Sequence, residues 1–251
     1  MLSIAIDGPA GAGKSTVARR AAQELGYVYV DTGAMYRAIG YTLKKQGVDL
    51  SDTEAVAVAV TGVNVTLRFQ EDGQHVYCGE EDVTGFIRTP EISLAASQVS
   101  AVPAVRAHLL ALQQQMAKTN SVIMDGRDIG TVVLPDAQVK VFLTASSAVR
   151  ARRRCLELEQ KGTPQPYEDV LRDVEERDYQ DSHRAVAPMK PAPDAVLLEL
   201  ASPPGGFDAE QARSLNLPVL AAPGLPGVYA PYTAAELMRE TIYTVISEGD
   251  E

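Results

Sequence analysis

The tightest constraint on this chain lies at its start, MLSIAIDGPAGAGKST. A short apolar run (residues 3–6) ends in Asp7 and passes at once into Gly8-x4-Gly13-Lys14-Ser15, the spacing of a phosphate-binding loop. Such a loop works only between a buried strand and a helix, so residues 3–6 should form the strand and 17–25 the helix. A helix N-terminus offers N–H groups without intrahelical partners and a partial positive charge. Glycines let the backbone close around an anion, so the loop is expected to cradle nucleotide phosphates. Gly8, Pro9, Ala10, Gly11, Ala12, Gly13, Lys14, Ser15 and Thr16 would form that cradle. Lys14 would neutralise the phosphates nearest the reaction, and the Ser15 hydroxyl would ligate Mg²⁺.

Further apolar runs recur along the chain as YVYVD, VIMD, VKVFL and AVLLEL, separated by helical patterns. That alternation predicts an α/β fold of the phosphate-loop type, with five parallel strands flanked by helices. SDTE at residues 51–54 is a capping-box signal for a helix to about Val60, and TPE at 89–91 starts another with Pro90 in its first turn. Residues 102–118, 145–161 and 167–184 are longer helical candidates. Two stretches break the rhythm. VNVTLRF, HVYC and EDVT predict a small antiparallel β insert at residues 62–87 within a core of 1–61 and 88–251. Residues 201–232 hold six prolines and four glycines and are expected to be a long irregular excursion. TAAE then opens a last helix at 233–246.

Charge narrows the partners. The formal net charge is −10; residues 201–251 carry seven acids and two bases, hence −5 of it. Between Arg127 and Arg184, by contrast, ten basic residues gather, eight of them arginine. A nucleic-acid binder would show a net basic domain, so a local anion pocket is expected, for which arginine suits bidentate phosphate recognition. Two cysteines, Cys78 and Cys155, give neither a disulfide framework nor zinc spacing. The start lacks a basic n-region, and no apolar run is long enough to span a bilayer. A cytoplasmic monomer that engages small molecules, not membranes or nucleic acids, is the expectation.

Three polar clusters could complete a site. DTGAMYR (31–37) falls where the second strand ends and a helix begins, so Thr32, Tyr36 and Arg37 could face the strand-end crevice or simply form a capped helix start. DGRDIG (125–130) follows the VIMD strand: Asp125 lies where a Mg²⁺-associated carboxylate is expected, while Arg127 and Asp128 could bind ligand or pair with each other. Arg177, Asp181 and Arg184 share one helix face, either a binding face or a solvated salt-bridge stripe. RARRR (150–154) puts Arg150, Arg153 and Arg154 on one face with the same two readings. His75, His108 and His183 are scattered, with no matching nucleophile.

IDGPAGAGKST, DTGAMYRA, GEEDVTGFIRTPEIS, AASQVSAVPAVR, DGRDIGTVV, ERDYQDSHRAVAPM and PAPDAVLL together, in order, resemble bacterial cytidylate kinases over residues 1–198. The resemblance implies ATP-dependent phosphorylation of CMP or dCMP with Mg²⁺, a nucleotide-binding insert at 62–87 and a helical lid at 148–166. It implies that Ser97, Arg106 and Asp128 read cytosine and that Arg37, Arg127 and Arg184 grip the acceptor phosphate. Arg177 and Asp181 would contact the sugar, and Thr32 and Tyr36 would line the site. Lys14, Arg127, Arg184 and the lid's Arg153 would be catalytic, with Arg150 and Arg154 also plausible contributors on closure. The stretch 201–232 departs from the family pattern, which turns sooner into its last helix.

Overall fold

The computed structural model describes residues 1–70, 73–199 and 219–221. The predicted helix at 233–246 and most of the Pro/Gly-rich stretch lie outside the described residues. By contact density the chain divides into two units, Met1–Tyr29 with Asn120–Glu251, and Val30–Thr119.

The first unit is built around a sheet of order β2-β6-β1-β7-β8-β9. β1 (Ser3–Asp7) is central; β6 (Val122–Gly126) pairs with it in parallel on one side and β7 (Val139–Thr144) on the other. β8 (Val196–Glu199) follows in parallel outside β7, and β2 (Val28–Asp31) lies beyond β6. These are the five expected strands. A sixth, β9 (Val219–Ala221), comes from within the stretch expected to be irregular and pairs in parallel with β8. Three consecutive β-branched or aliphatic residues, Val219, Leu220 and Ala221, suffice for a short strand once β8 offers an unpaired edge.

β6 is buried along its whole length, as expected of a central strand covered on both faces. Helix α1 (Lys14–Leu25) sets Val17, Ala18, Ala21 and Ala22 against Ile4, Ile6, Ile123, Val141 and Leu143, and its small residues allow a close helix–sheet approach. The helix starts three residues earlier than expected. Gly13 takes a left-handed conformation (φ 104°) that turns the loop directly into the first helical turn. α6 (Ser147–Gln160) and α7 (Tyr167–His183) pack on each other through Ala151, Leu158 and Val170, with Cys155 a partly buried filler.

The second unit has its own core. α2 (Thr32–Lys45), α3 (Thr53–Ala59), α4 (Pro90–Ser100) and α5 (Pro103–Thr119) bury Met35, Ile39, Leu43, Val56, Val99 and Leu109 against an antiparallel sheet of β3 (Val65–Gln70), β4 (Gly73–Cys78) and β5 (Glu81–Asp82). That sheet falls within residues 62–87. Thr89 caps α4 as expected, its hydroxyl accepting from the Ile92 N–H at 3.2 Å. α3 departs from the capping-box frame: Asp52 caps it, accepting from Glu54 and Ala55 N–H, while the Ser51 hydroxyl donates to Asp49. A carboxylate is the stronger acceptor for free helix N–H groups, so the cap moves one residue on.

The strand order makes β1 the point where connections turn to opposite sides, and ligands of such sheets bind outside the strand ends there. The backbone at that end is crowded. A Cβ on Gly8 would lie 1.9 Å from the Leu143 carbonyl oxygen, and its φ of 142° excludes other side chains. Gly8→Ala is therefore expected to cost about 3 kcal/mol or more, read as a lowered denaturation midpoint in urea with an unchanged slope.

Candidate active site

The phosphate loop links β1 to α1. Gly8, Gly11 and Gly13 all have φ between 75° and 142°, which turns successive N–H groups inward as a nest for an anion. Lys14 is buried, and its ammonium donates to the Pro9 carbonyl at 2.7 Å, curled over the loop. Burial, and then the nearby Arg127 guanidinium, push the Lys14 amine well below its ordinary range. A bound phosphate would reverse that pressure. The Ser15 hydroxyl donates to Asp125 Oδ2 at 2.6 Å at the end of β6. A hydroxyl and a carboxylate so placed are oxygen ligands of the kind Mg²⁺ takes, with water and phosphate completing its shell.

Past Asp125 the chain makes an ionic web. Arg127 and Asp128 do not pair with each other. Arg127 Nε donates to Asp181 Oδ2 at 2.8 Å, and Arg184 Nη2 donates to Asp128 Oδ1 at 3.1 Å. Arg184 also approaches Asp181 Oδ1 (3.7 Å), and its Nε donates to the Ala187 carbonyl at 2.6 Å. Ala187 itself sits at φ 50°, a strained position for a residue with a Cβ, next to the guanidinium it holds. The expected helix ends one residue early, with Arg184 its extended C-cap, and the cluster is no solvated stripe: the Asp181 and Arg184 side chains are each 8% exposed. Burial would raise the Asp181 carboxyl, but Arg127, Arg177 and Arg184 outweigh it and hold the group below the usual carboxylate range.

The RARRR arginines take different roles. Arg150 is a tether: it donates to the carbonyls of Ala145 (2.8 Å) and Ala10 (3.1 Å) and grips Asp178 of α7 with both ends of its fork. It therefore ties the phosphate loop to the helix bearing Asp181. Arg153 reaches the loop at Ala12 O (3.4 Å), and burial lowers its guanidinium from the usual value. Arg154 is a surface residue paired with Glu157.

In the second unit, Asp31 caps α2, accepting from Ala34 N–H at 2.9 Å. It also faces two arginines, Arg88 at 3.1 Å and Arg37 at 3.6 Å. Burial would raise this carboxyl, yet Arg37, Arg88 and the Ala34 N–H together lower it. The capped helix start is therefore present, and the capping carboxylate also faces Arg37. Thr32 is buried, and Arg106, also buried, places its guanidinium 5.6 Å from the Tyr36 ring centroid while donating to Ser100 O. Ser97 lies on α4, one turn before Arg106's acceptor. Tyr36, Ser97 and Arg106 thus share α2, α4 and α5 around one core.

Nothing in the motif spacing marks Asp7, Asp178 or Arg88. The one available signal for Asp7 is its position, an acid closing an otherwise apolar strand. Its carboxylate is buried and accepts from two successive backbone groups, Ile129 N–H at 2.7 Å and Gly130 N–H at 2.8 Å. Asp7 lies opposite Gly126 in the β1–β6 register, which is why it meets this loop.

A loop of left-handed glycines, a curled lysine, a hydroxyl–carboxylate pair and arginines braced by acids define a phosphate-loop phosphotransferase. A family model described as cytidylate kinase matches residues 4–202. The chain is 51% identical over 200 residues to the cytidylate kinase of Lactobacillus gasseri, covering 79% of this chain and 86% of that one. It is 51% identical over 198 residues to that of Desulfitobacterium hafniense (79% and 85%) and 49% over 203 to that of Pelotomaculum thermopropionicum (80% and 90%). The chain belongs to the cytidylate kinase family.

Burial raises the Asp7 carboxyl to about 6, the two N–H bonds and Lys14 only partly offsetting it while Asp128 adds to it. Between pH 4 and 6 the unfolded chain has lost this proton and the native one keeps it, so stability falls as pH rises through that window. The full loss is about 3 kcal/mol. Asp7→Asn removes this component, so the stability of the variant relative to the parent is expected to climb between pH 4 and 7 in urea titrations at successive pH values.

Proposed function

We propose that the chain transfers the γ-phosphoryl group of ATP to CMP or dCMP, giving ADP and CDP or dCDP. Family membership supports the reaction class, and the braced arginines beside Lys14 are the observation that carries the mechanism. The residues from Gly8 to Thr16 would seat the ATP phosphates. Ser15 and Asp125 would hold Mg²⁺, which when bound neutralises phosphate charge and aligns the donor.

The acceptor is a phosphate oxygen with a second pKa of about 6, already ionised near neutral pH. No general base is required, and catalysis rests on alignment and charge neutralisation. Arg37, Arg127 and Arg184 would take the acceptor phosphate. Asp31, Asp181 and Asp128 would hold these guanidiniums in place for it, so that less side-chain freedom is lost on binding. Arg177 and Asp181 would contact the sugar. Thr32 and Tyr36 would line the pocket.

Ser97, Arg106 and Asp128 would read cytosine. Asp128 would accept from its exocyclic amino group. Uracil carries a carbonyl there and would face a carboxylate without a proton between them. Residues 62–87 would belong to the nucleotide-binding part and 148–166 to a lid that brings Arg153 onto the phosphates, with water excluded on closure. The 201–232 stretch would be an addition to the core. The enzyme would act as a monomer in the cytoplasm, on free nucleotides.

Two measurements check this. In a coupled ADP-release assay CMP is expected to outpace UMP, and UMP outpacing CMP would overturn the assignment. Asp128→Ala should collapse that preference, whereas Arg127→Ala should lower kcat on the order of 10³-fold with the preference kept.

A further inference from the structure

The buried carboxylate of Asp7 is not explained by packing. Asn is isosteric and would be cheaper to bury, since a charge in an apolar strand end carries a desolvation cost that neutral amides escape. What the carboxylate offers is a second acceptor. Its two oxygens take the N–H groups of Ile129 and Gly130, one each, at 2.7 and 2.8 Å. An Asn presents one oxygen and one NH₂, so one of those N–H groups would face another donor.

These two residues immediately follow Asp128, the start of a π-helical turn that runs over Ile129–Val133. The Asp128 carbonyl accepts from Val132 N–H (2.9 Å) and Val133 N–H (3.2 Å). Asp128 has an irregular backbone (φ −146°, ψ 27°), outside any helix or strand that would fix it unaided. Arg184 engages the carboxylate itself at 3.1 Å, and the backbone that carries it is held by two sets of bonds: the turn closing on its own carbonyl, and Asp7 pinning the next two N–H groups to the end of β1. Gly130 fits the same contact. A Cβ there would lie 3.2 Å from the Lys140 side chain and 3.4 Å from Asp7 Oδ2.

We infer that Asp7 is a positioning residue for base selection: by clamping Ile129 and Gly130 it fixes the direction of the Asp128 carboxylate, and so sets how strongly cytosine is preferred to uracil. This rests on the reading of Asp128 given above. Both Asp7 oxygens are engaged by backbone N–H groups, so it would act through Asp128 and not on a nucleotide. Its effect should appear in the acceptor's KM and in selectivity, not in the chemical step.

The experiment compares the full-length parent, Asp7→Asn, Asp128→Ala and the double variant for kcat and KM with CMP, UMP and ATP. Asp7→Asn is expected to lower the CMP/UMP ratio of kcat/KM about tenfold, the scale of one misdirected hydrogen bond, mostly through CMP KM. The ATP KM should stay within about threefold of the parent. In the Asp128→Ala background the same change should leave the remaining ratio unmoved, since there is no carboxylate left to aim. An unchanged ratio in Asp7→Asn, or a loss equal for CMP and ATP, overturns the inference while Asp128→Ala still tests the base reading on its own. If Asp128→Ala retains the CMP preference, that reading falls and takes this one with it. Should Asp7→Asn not fold, Gly130→Ala disturbs the same contact from the opposite side; a lowered CMP/UMP ratio supports the clamp, and a parental ratio overturns it.

Discussion

Positive charge buried at the ends of β1 and β6 is the constraint that the rest of the first unit answers to. Lys14, Arg150 and Arg184 are almost wholly removed from water, and Arg127 largely so. Buried cations are costly unless paired and hydrogen-bonded. Each has a partner: Pro9 of its own loop for Lys14, and residues of other segments for the arginines, Asp178 with two carbonyls for Arg150, Asp181 for Arg127 and Asp128 for Arg184. The partners lie in the phosphate loop, the DGRDIG loop and α7, so satisfying the cations fixes three chain segments against one another. An anion-binding site and a structural cross-brace are here one network.

The Arg150 tether shows why α7 belongs to this network and does not simply cover it. Asp178 and Asp181 are one turn apart on the helix. The first is held by an arginine that also bonds the Ala10 carbonyl, and the second braces Arg127. Displacing the phosphate loop would therefore strain the helix that places Arg127. The phosphate loop and Arg127 are linked through one helical turn.

Much of this was legible in the sequence because motif residues act through local backbone geometry. The phosphate loop, the strand that carries Asp125 and the nearness of Arg177 and Arg184 to Asp181 follow from spacing and periodicity, and the five strands follow from apolar runs. Partner choice was not legible. Arg127 beside Asp128 suggests an adjacent pair, yet Arg127 reaches 54 residues on to Asp181 and Arg184 reaches 56 back to Asp128. Only the packing of α7 decides this crossing. Arg150 and Arg153, three apart on one face, differ in role because Arg150 has Asp178 opposite it. Asp7 escaped because its partners are backbone groups, which leave no mark in side-chain composition. β9 escaped because propensity does not reveal that β8 has an edge to offer.

The acidic residues of the site answer a question that arginines alone raise. Guanidiniums held close together, as Arg127 and Arg184 are around Asp181, repel one another, and unbraced each would be hydrated and mobile. Asp31 and Asp181 remain ionised despite burial because the arginines they brace hold their carboxyls low. The acids therefore keep the cations ordered without consuming every donor, since a guanidinium carries five N–H groups and a carboxylate engages at most two along one edge. A phosphate can then approach another edge of the same group with the geometry already set. Asp7 follows a different logic. With no guanidinium beside it, its carboxyl rises to about 6, and the destabilisation is tolerated for the sake of two backbone bonds. Asp31 and Asp181, which brace arginines, are drawn below the usual carboxylate range, while Asp7, which braces backbone, is pushed above it by burial.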